Sequence, residues 1–149
     1  MLPSFFIRSR GLGKLYTRLF APLLERCGLT QTEMDILLFL ANHPEYDTAR
    51  DMVEKRHLAK SHISAGIDAL AARGLLERRF QAGNRKTIHL RLTGAAAPIV
   101  QEGQAIQRQY GKSLFAGFSE AEIRRLVRML DRVAENVDAA LAAGEDGRA

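Results

Sequence analysis

Two short strand patterns joined by a single turn interrupt a chain that is otherwise patterned for helices. Residues 75–80 (LLERRF) and 87–92 (TIHLRL) have the residue types and the alternation of strands, and the segment Gln81–Lys86 between them contains the turn dipeptide Gly83-Asn84. A lone two-stranded hairpin is only marginally stable in water, so this one must pack against helices. The sequence therefore predicts a mainly helical fold that carries one β-ribbon.

Four helices are predicted before the ribbon. Apolar residues at three- and four-residue spacing define the first, over about Phe5–Glu25, in which Pro22 is expected to cause a kink or a break. A capping box of Thr30 and Glu33 opens the second helix. The last two are a short helix that Asp47 or Thr48 caps and that ends near Lys55, and a helix over about Lys60–Arg73 that Gly74 terminates.

Two long helices are predicted after the ribbon. The first begins near Thr93 and reaches roughly Phe115, with Pro98 bending its first turns. A capping box of Ser119 and Glu122 opens the second. Its apolar stripe comprises Ile123, Leu126, Val127, Leu130, Val133, Val137 and Leu141. The stripes of the first and last helices need a partner, and a second copy of the chain is the simplest one.

This order of elements is typical of a winged helix-turn-helix, in which two short helices precede a β-hairpin wing. The predicted fold class is mainly α with a β wing, flanked by long N- and C-terminal dimerisation helices. A chain of 149 residues is expected to form a single domain. Within it, the winged-helix lobe covers about residues 30–93, the dimerisation helices cover about 1–27 and 94–143, and residues 144–149 form a frayed tail.

The positive charge of the chain is concentrated in its middle third. The whole chain has 22 Lys and Arg against 17 Asp and Glu, a net charge of +5. Residues 50–91 contain ten cations and four anions, so this segment alone carries +6 and the remainder is close to neutral. A polyanionic partner such as double-stranded DNA explains this distribution better than a generally basic protein does.

The fourth helix is the predicted recognition helix, because the second helix of a helix-turn-helix enters the major groove with its N-terminal residues nearest the bases. With Ile63, Ile67 and Leu70 facing inward, the outward side of its first turns carries four candidate DNA contacts, Lys60, Ser61, His62 and Ser64. Ala65 and Gly66 add little bulk and are expected to allow close approach to the duplex. Solvated serines and an ordinary surface histidine are the alternative interpretation.

Cations on the ribbon are the other candidate contacts. Arg85 and Lys86 at the tip are predicted to lie in the neighbouring minor groove, where negative potential is concentrated. Keeping a hairpin tip soluble is the competing explanation for these two residues. Arg78 is a further DNA-binding candidate, although an ion pair of either Arg78 or Arg79 with the helices is the favoured explanation for the cations there.

Three segments together resemble the MarR family of winged-helix bacterial regulators: LTQTEMDILLFL, KSHISAGIDALAARGLLER and NRKTIHLRLT. The glycine-leucine-aliphatic turn into the wing is matched by Gly74-Leu75-Leu76, the basic residue after it by Arg78, and the leucine-threonine strand end by Leu92-Thr93. The acidic-any-arginine triplet at the family's wing tip is replaced here by Asn84-Arg85-Lys86. The resemblance extends over about Leu12–Leu141, including the flanking helices that such proteins use to dimerise.

This resemblance implies a homodimer that binds a pseudo-palindromic operator, usually as a repressor that a small molecule releases. Lys86 aligns with the arginine that enters the minor groove in the family, and Arg85 is the alternative for that contact. A small apolar or aromatic effector is expected between the dimerisation helices and the DNA-binding lobe. Tyr16, Phe39 and Met52 are candidate lining residues there, and core packing explains them equally well.

No enzymatic site, metal site or cofactor is predicted. The four histidines, His43, His57, His62 and His89, have no zinc-like spacing with one another or with Cys27, and no glycine-rich phosphate loop follows a strand. No segment approaches the roughly 20 apolar residues that span a bilayer, and the N-terminus lacks the pattern of a signal peptide. With a single cysteine, the protein is expected to be soluble and cytoplasmic.

Two other functions compete with the DNA-binding repressor. One is a winged-helix protein-interaction module that does not bind DNA. The other is a thiol-based redox-sensing regulator that uses Cys27, although a buried, inert cysteine is favoured at that position.

Overall fold

The structure is a computed structural model that describes residues 2–56 and 59–146, with side chains left undescribed at 2–8, 56, 85 and 144–146. Its elements, in chain order, are α1 (Leu2–Cys27), α2 (Gln31–Asn42), α3 (Ala49–Arg56), α4 (Lys60–Ala72), β1 (Leu76–Gln81), β2 (Asn84–Leu92), a 3₁₀ turn (Gly94–Ala96), α5 (Ala97–Leu114) and α6 (Glu120–Asp146). The chain divides into two compact units after Tyr110. The mainly helical fold class with a β-hairpin wing is confirmed.

The first helix is longer than predicted and is not broken at Pro22. It continues through Pro22 to Cys27, where Gly28 ends it with a φ of 62°. Proline removes one intrahelical hydrogen bond, but the packing of the surrounding turns outweighs that cost here. Phe20 and Leu23, on either side of Pro22, are fully or almost fully buried. Burial of this face against the core therefore keeps the helix intact.

The helix starts follow the predicted capping residues. Thr30 and Glu33 form the capping box of α2, in which the Glu33 amide donates to the Thr30 hydroxyl and the Thr30 amide donates to the Glu33 carboxylate. At α3 the cap is Thr48, whose hydroxyl accepts from the Asp51 amide at 3.1 Å. The alternative cap, Asp47, instead contacts the wing. Gly74 ends α4 with a φ of 69°, as predicted.

The wing is an antiparallel pair whose turn is tighter than predicted. The turn consists of Ala82 and Gly83 alone, and β2 already begins at Asn84. The register pairs Gln81 with Asn84 and Phe80 with Ile88, so residues 85–87 have no partner in β1 and form a bulge. The two predicted tip cations, Arg85 and Lys86, therefore belong to this bulge of β2 and not to the turn itself.

The first unit contains the hydrophobic core. Leu37, Leu38 and Met34 of α2 lie at its centre with at most 2% of their surface exposed. The other large buried side chains come from α1, α3, α4 and the base of the wing, and include Phe20, Met52, Ile63, Leu70 and Leu76. The wing is held at its base by Leu76 and Leu90, which supplies the helical support that a lone hairpin lacks.

The second unit consists mainly of α6, which continues to Asp146 into the segment predicted as a frayed tail; residues 147–149 lie outside the described residues. Its apolar stripe is largely exposed: Val127, Leu130, Val133, Val137 and Leu141 each expose 45–56% of their surface. No helix among the described residues is long and apolar enough to cross a membrane.

Glu122 stabilises the start of α6 in its ionised form. The Ser119 amide donates to the Glu122 carboxylate at 2.8 Å, and the Glu122 amide donates to the Ser119 hydroxyl at 3.3 Å, which is the predicted capping box. Hydrogen bonding from the Ser119 backbone lowers the pKa of Glu122 below its ordinary value. A carboxyl group whose pKa is lowered by folding contributes stability at higher pH, and this is lost as pH falls through the folded-state pKa.

We therefore expect Glu122→Gln to destabilise α6 at pH 7 and to have no effect below the lowered pKa of Glu122. Circular dichroism during urea denaturation, at pH 7 and at a pH low enough to protonate Glu122, measures the difference between wild type and variant. Glu135→Gln, in the interior of the same helix, is the control for loss of a carboxylate. An equal effect of Glu122→Gln at both pH values would contradict the capping role.

Candidate nucleic-acid interface

The predicted recognition helix places its four candidate residues together on one exposed face. Lys60, Ser61, His62 and Ser64 are all exposed, whereas Ile63 and Ile67 of the same turns are buried. The N-cap residue of α4 is Ala59, which offers no side-chain cap. The first backbone amides of α4 therefore receive no hydrogen bond from a capping side chain of Ala59. They lie at the same end of the helix as the hydroxyl and ammonium donors of this face.

Gly66 has a different role from the one predicted. It is buried, and a Cβ at this position would lie 2.6 Å from Cδ1 of Ile36 in α2. The small residue therefore allows α4 to pack closely on α2 and does not contribute to close approach of DNA. Ala65, its neighbour, is exposed on the outward side. The sequence pattern did not distinguish the two because it does not show where two helices cross.

The wing tip presents Lys86 to solvent. Its side chain is exposed, and its backbone amide donates to the Asn84 side-chain oxygen at 3.0 Å, which shapes the bulge locally. The side chain of Arg85 lies outside what the structure describes. Asn84 therefore acts on the backbone of the bulge, a role that an amide side chain performs as well as a carboxylate.

Arg78 connects the wing to the recognition helix. Its guanidinium forms an ion pair with Asp68 of α4, while Arg79 pairs with Glu77 at 3.1 Å within β1. The sequence predicted an ion pair between the ribbon and a helix without deciding between Arg78 and Arg79, and Arg78 is the arginine that forms it. Arg50 of α3 is paired as well, since a hydrogen bond and charge attraction from Glu54 raise the pKa of Arg50.

Among the described side chains of the basic segment, three cations have neither an ion pair nor another contact of the charged group. Within the described side chains, Lys60, Lys86 and Arg91 form no ion pair. Lys60 belongs to the recognition helix, and the other two belong to β2 of the wing. Lys55 and Arg73 also form no ion pair there, but Lys55 lies over the Tyr46 ring and Arg73 donates to backbone carbonyls. Among the described side chains, the positive charge with neither an ion pair nor such a contact therefore lies on α4 and β2, for which contact with a polyanion is predicted.

The wing is also anchored to the segment before α3, by contacts that the sequence analysis missed. Nδ1 of His89 lies 2.8 Å from the Asp47 carboxylate, and the Leu90 amide donates to the Asp47 carbonyl at 2.7 Å. Thr48 and His89 form an isolated antiparallel β-bridge. The segment before α3 thus acts as a short third strand of the ribbon, and it fixes the wing relative to the helix-turn-helix.

Replacing Asp47 with alanine should destabilise the first unit by about 1 kcal/mol, the usual contribution of a partly exposed side-chain hydrogen bond. The backbone bond from Leu90 is retained in this variant, so the loss reports on the carboxylate alone. Urea denaturation at pH 7 is the measurement, and Glu25→Ala, which removes an exposed carboxylate of α1, is the control. Equal stability of Asp47→Ala and wild type would show that the His89 contact does not hold the wing.

A cavity of about 430 Å³ lies between α3, α4 and the wing. Its apolar lining comprises Ala49, Val53, Ile63, Ile67, Ile88 and Leu90. Arg50, Glu54, Lys60, Ser64 and Arg78 also border it. Three of the predicted DNA-contacting residues, Lys60, Ser64 and Arg78, therefore border an apolar cavity of a size that accepts a small organic molecule.

The predicted effector-pocket residues lie in or next to the core. Phe39 and Met52 expose 5% and 1% of their surface, and Tyr16 packs against the core with its ring 4.6 Å from that of Phe20. Their surroundings are those of core packing, and none of the three lines the cavity beside the wing. Their assignment to an effector pocket remains a prediction.

Cys27 is half-buried at the end of α1 and packs against the core. Its carbonyl oxygen accepts a hydrogen bond from Arg73. Among the described residues, no group of three or more His, Cys, Asp and Glu side chains is arranged to hold a metal ion. His57, one of the four histidines considered, lies outside the described residues.

The geometry defines a winged helix-turn-helix in which α4 has an exposed polar face and the wing is basic. The sequence model of the MarR family matches residues 28–86, which span α2 to the wing tip. The resemblance to MarR-family winged-helix regulators that the sequence predicted is thereby confirmed.

Solved structures share this fold over nearly the whole chain. Transcriptional regulator PA3341 is 24% identical, with 93% of this chain and 99% of that chain covered and a TM-score of 0.78. A MarR-family transcriptional regulator from Listeria monocytogenes, complexed with a 26mer DNA, is 20% identical over 92% of this chain and 88% of its own, with a TM-score of 0.75. Bordetella bronchiseptica BpsR, whose DNA binding is regulated by 6-hydroxynicotinic acid, is 21% identical. The match covers 88% of this chain and 98% of that chain, with a TM-score of 0.68.

Proposed function

We propose that the protein is a DNA-binding transcriptional regulator that acts without catalysis, as a homodimer on a pseudo-palindromic operator. The observation that carries this proposal is the joint exposure of Lys60, Ser61, His62 and Ser64 on α4, beside a wing whose Lys86 and Arg91 form no ion pair within the described side chains. Hydroxyl and imidazole groups suit base edges, and the cations suit phosphates. The structural relative from Listeria monocytogenes, complexed with DNA, supports the same function.

The exposed stripe of α6 supports the homodimer. Five apolar side chains at helical spacing, each about half exposed, form a continuous face that a soluble protein normally covers. A two-fold symmetric partner covers such a face with the same face of a second copy. Two wings and two recognition helices then bind half-sites about one helical turn apart, roughly 34–36 Å.

Duplex binding should weaken steeply with salt, because each neutralised phosphate releases condensed counterions. Fluorescence anisotropy with a genomic duplex at several salt concentrations between about 50 and 200 mM measures the slope of log Kd against log salt. With six or more phosphate contacts per dimer, affinity is expected to fall by about 10³-fold over this range. Negligible duplex affinity at the lowest salt would instead favour the protein-interaction module.

Ser61→Ala and His62→Ala should change which bases are preferred at defined operator positions, while affinity for random duplex remains within about twofold. Each lost base contact should reduce discrimination at its position by roughly 1–3 kcal/mol. Selection of bound sequences with each variant is the measurement. If both variants select the same sequence as wild type, the recognition face lies elsewhere.

We further propose that the protein is a repressor and that a small apolar or aromatic molecule releases it from its operator. BpsR, regulated by 6-hydroxynicotinic acid, supports ligand control in a protein of this fold. Two locations compete for the effector: the predicted region around Tyr16, Phe39 and Met52, and the cavity beside α4. A ligand in the cavity would contact Lys60, Ser64 and Arg78 and so compete with DNA directly. Val53→Trp fills the cavity beside α4. It should abolish release of DNA by the effector if the effector binds in that cavity, and leave release unchanged if the effector binds near Tyr16, Phe39 and Met52.

A further inference from the structure

Arg73 joins the C-terminal ends of two helices to which the proposed function gives different tasks. It is the C-cap residue of α4, the recognition helix. Its guanidinium donates from Nη1 to the Gly28 carbonyl at 2.8 Å and from Nη2 to the Cys27 carbonyl at 2.6 Å. Cys27 is the last residue of α1, a dimerisation helix in the proposed function.

The contact is well suited to fixing orientation as well as distance. Both helix ends carry partial negative charge from unsatisfied carbonyl groups, and a guanidinium between them offsets it. Two parallel N–H groups on a planar fork bind two neighbouring carbonyl oxygens at once. A lysine ammonium has a single nitrogen and cannot reproduce that geometry. Arg73 therefore restrains both the separation and the relative direction of the two helix ends.

The same junction connects α4 to α5. The Thr93 hydroxyl, just before α5, donates to the Gly74 carbonyl at 2.7 Å, and the Thr93 amide donates to the Leu75 carbonyl at 3.1 Å. An ion pair between Arg26 and Glu102 connects the end of α1 to α5. The C-terminus of the recognition helix is thus attached to both flanking helices of the first unit.

Arg73 differs from the other arginines of the basic segment. Arg50, Arg78 and Arg79 pair with carboxylates, whereas the Arg73 guanidinium donates to backbone carbonyls of the last residue of α1 and of the residue after it. It lies at the far end of α4 from Lys60 and Ser61. Contact with DNA does not explain such a position, and a role in orienting α4 does.

We propose that Arg73 is a positioning residue that sets the direction of the recognition helix on α1, and through it the half-site spacing that the dimer accepts. The proposal rests on the proposed DNA-binding function. Because the two recognition helices of a dimer act on one duplex, a small change in the direction of each alters the distance between the half-sites that both can bind. Loss of the two Arg73 hydrogen bonds should therefore allow the dimer to bind half-sites at a wider range of spacings.

The test uses an inverted repeat chosen by the wild-type protein, rebuilt with its half-sites moved apart or together by one and two base pairs. Affinity for each spacing is measured by anisotropy for wild type, Arg73→Gln and Arg73→Lys. Arg124→Gln, which removes one exposed arginine from an ion pair within α6, is the matched control. Thermal denaturation of each variant establishes that it is folded.

Arg73→Gln removes both hydrogen bonds and should lower affinity for the preferred spacing by about tenfold, while affinity for the altered spacings stays within about twofold. Arg73→Lys should show the same loss of preference, because it keeps the charge and lacks the fork. The proposal is overturned if both variants keep the spacing preference of wild type, or if all duplexes lose affinity equally. The latter result would make Arg73 a phosphate contact.

Amide hydrogen exchange provides a readout that does not require DNA. The Leu29 amide donates to the Leu24 carbonyl and the Leu75 amide to the Leu70 carbonyl, both at 3.0 Å, and these bonds close the two helix ends. Arg73→Gln should speed exchange at both amides. Unchanged exchange would show that Arg73 does not hold the two helix ends together. If wild type binds no duplex, the proposed function fails, and the exchange data alone decide whether Arg73 holds α4 on α1.

Discussion

Removal of both wing-tip cations, in the variant Arg85→Ala/Lys86→Ala, should lower affinity for every DNA duplex by about a hundredfold at moderate salt. A dimer loses four cations near the phosphates in this variant, so the slope of log affinity against log salt should fall by about three to four. Base preference should be unchanged, because the tip is predicted to lie in the minor groove and contributes mainly charge.

Anisotropy titrations at three salt concentrations, with operator and with random duplex, measure both effects. Arg108→Ala/Lys112→Ala removes two exposed cations from α5 and is the control for a change in net charge. The control should lose less than about threefold, since exposed charges farther than a Debye length from the duplex are screened. Equal DNA affinities of the wing variant and wild type at all three salt concentrations would show that the wing tip does not contact DNA.

The variant Leu130→Glu/Val137→Glu should convert the protein from dimer to monomer at micromolar concentration. Each apolar side chain contributes roughly 1.5–3 kcal/mol when buried, and two-fold symmetry doubles every change. Burial of the introduced carboxylates adds a further penalty. The dimer dissociation constant should therefore rise by at least about a thousandfold, and operator affinity should fall with it.

Sedimentation equilibrium of wild type and variant measures the association directly. Ala139→Glu/Ala142→Glu adds the same charge to α6 away from the apolar stripe, and its dimer should be unaffected. The exposed stripe is not the dimer interface if the first variant remains a dimer. Monomeric Leu130→Glu/Val137→Glu protein that still bound the full operator with wild-type affinity would contradict the requirement for a dimer.

Features determined by local sequence were predicted well. The capping boxes at Thr30 and Ser119, the glycine stop at Gly74 and the outward face of α4 all depend on residues within one or two helical turns of each other. The family resemblance was carried by motifs in the same short segments. These signals gave the order of the elements, and the order was enough to indicate a winged helix.

Features that depend on contacts between distant segments were not predicted. The Asp47–His89 contact joins residues 42 positions apart, and Arg73 contacts Gly28 across 45 positions. Gly66 looked like an exposed small residue until its position against Ile36 was known. The wing turn was predicted too long because Asn84, a common turn residue, instead begins β2 and shapes a bulge. None of these four features produces a periodic pattern or a capping motif in the sequence.

Selection of bound fragments from a random duplex library tests the central claim most directly, because it measures sequence recognition and dimer symmetry together. A dimer that presents two recognition helices and two wings should enrich an inverted repeat whose half-sites are centred about 10 base pairs apart. Enrichment of no sequence at low salt, or of a single half-site without its inverted copy, would contradict it.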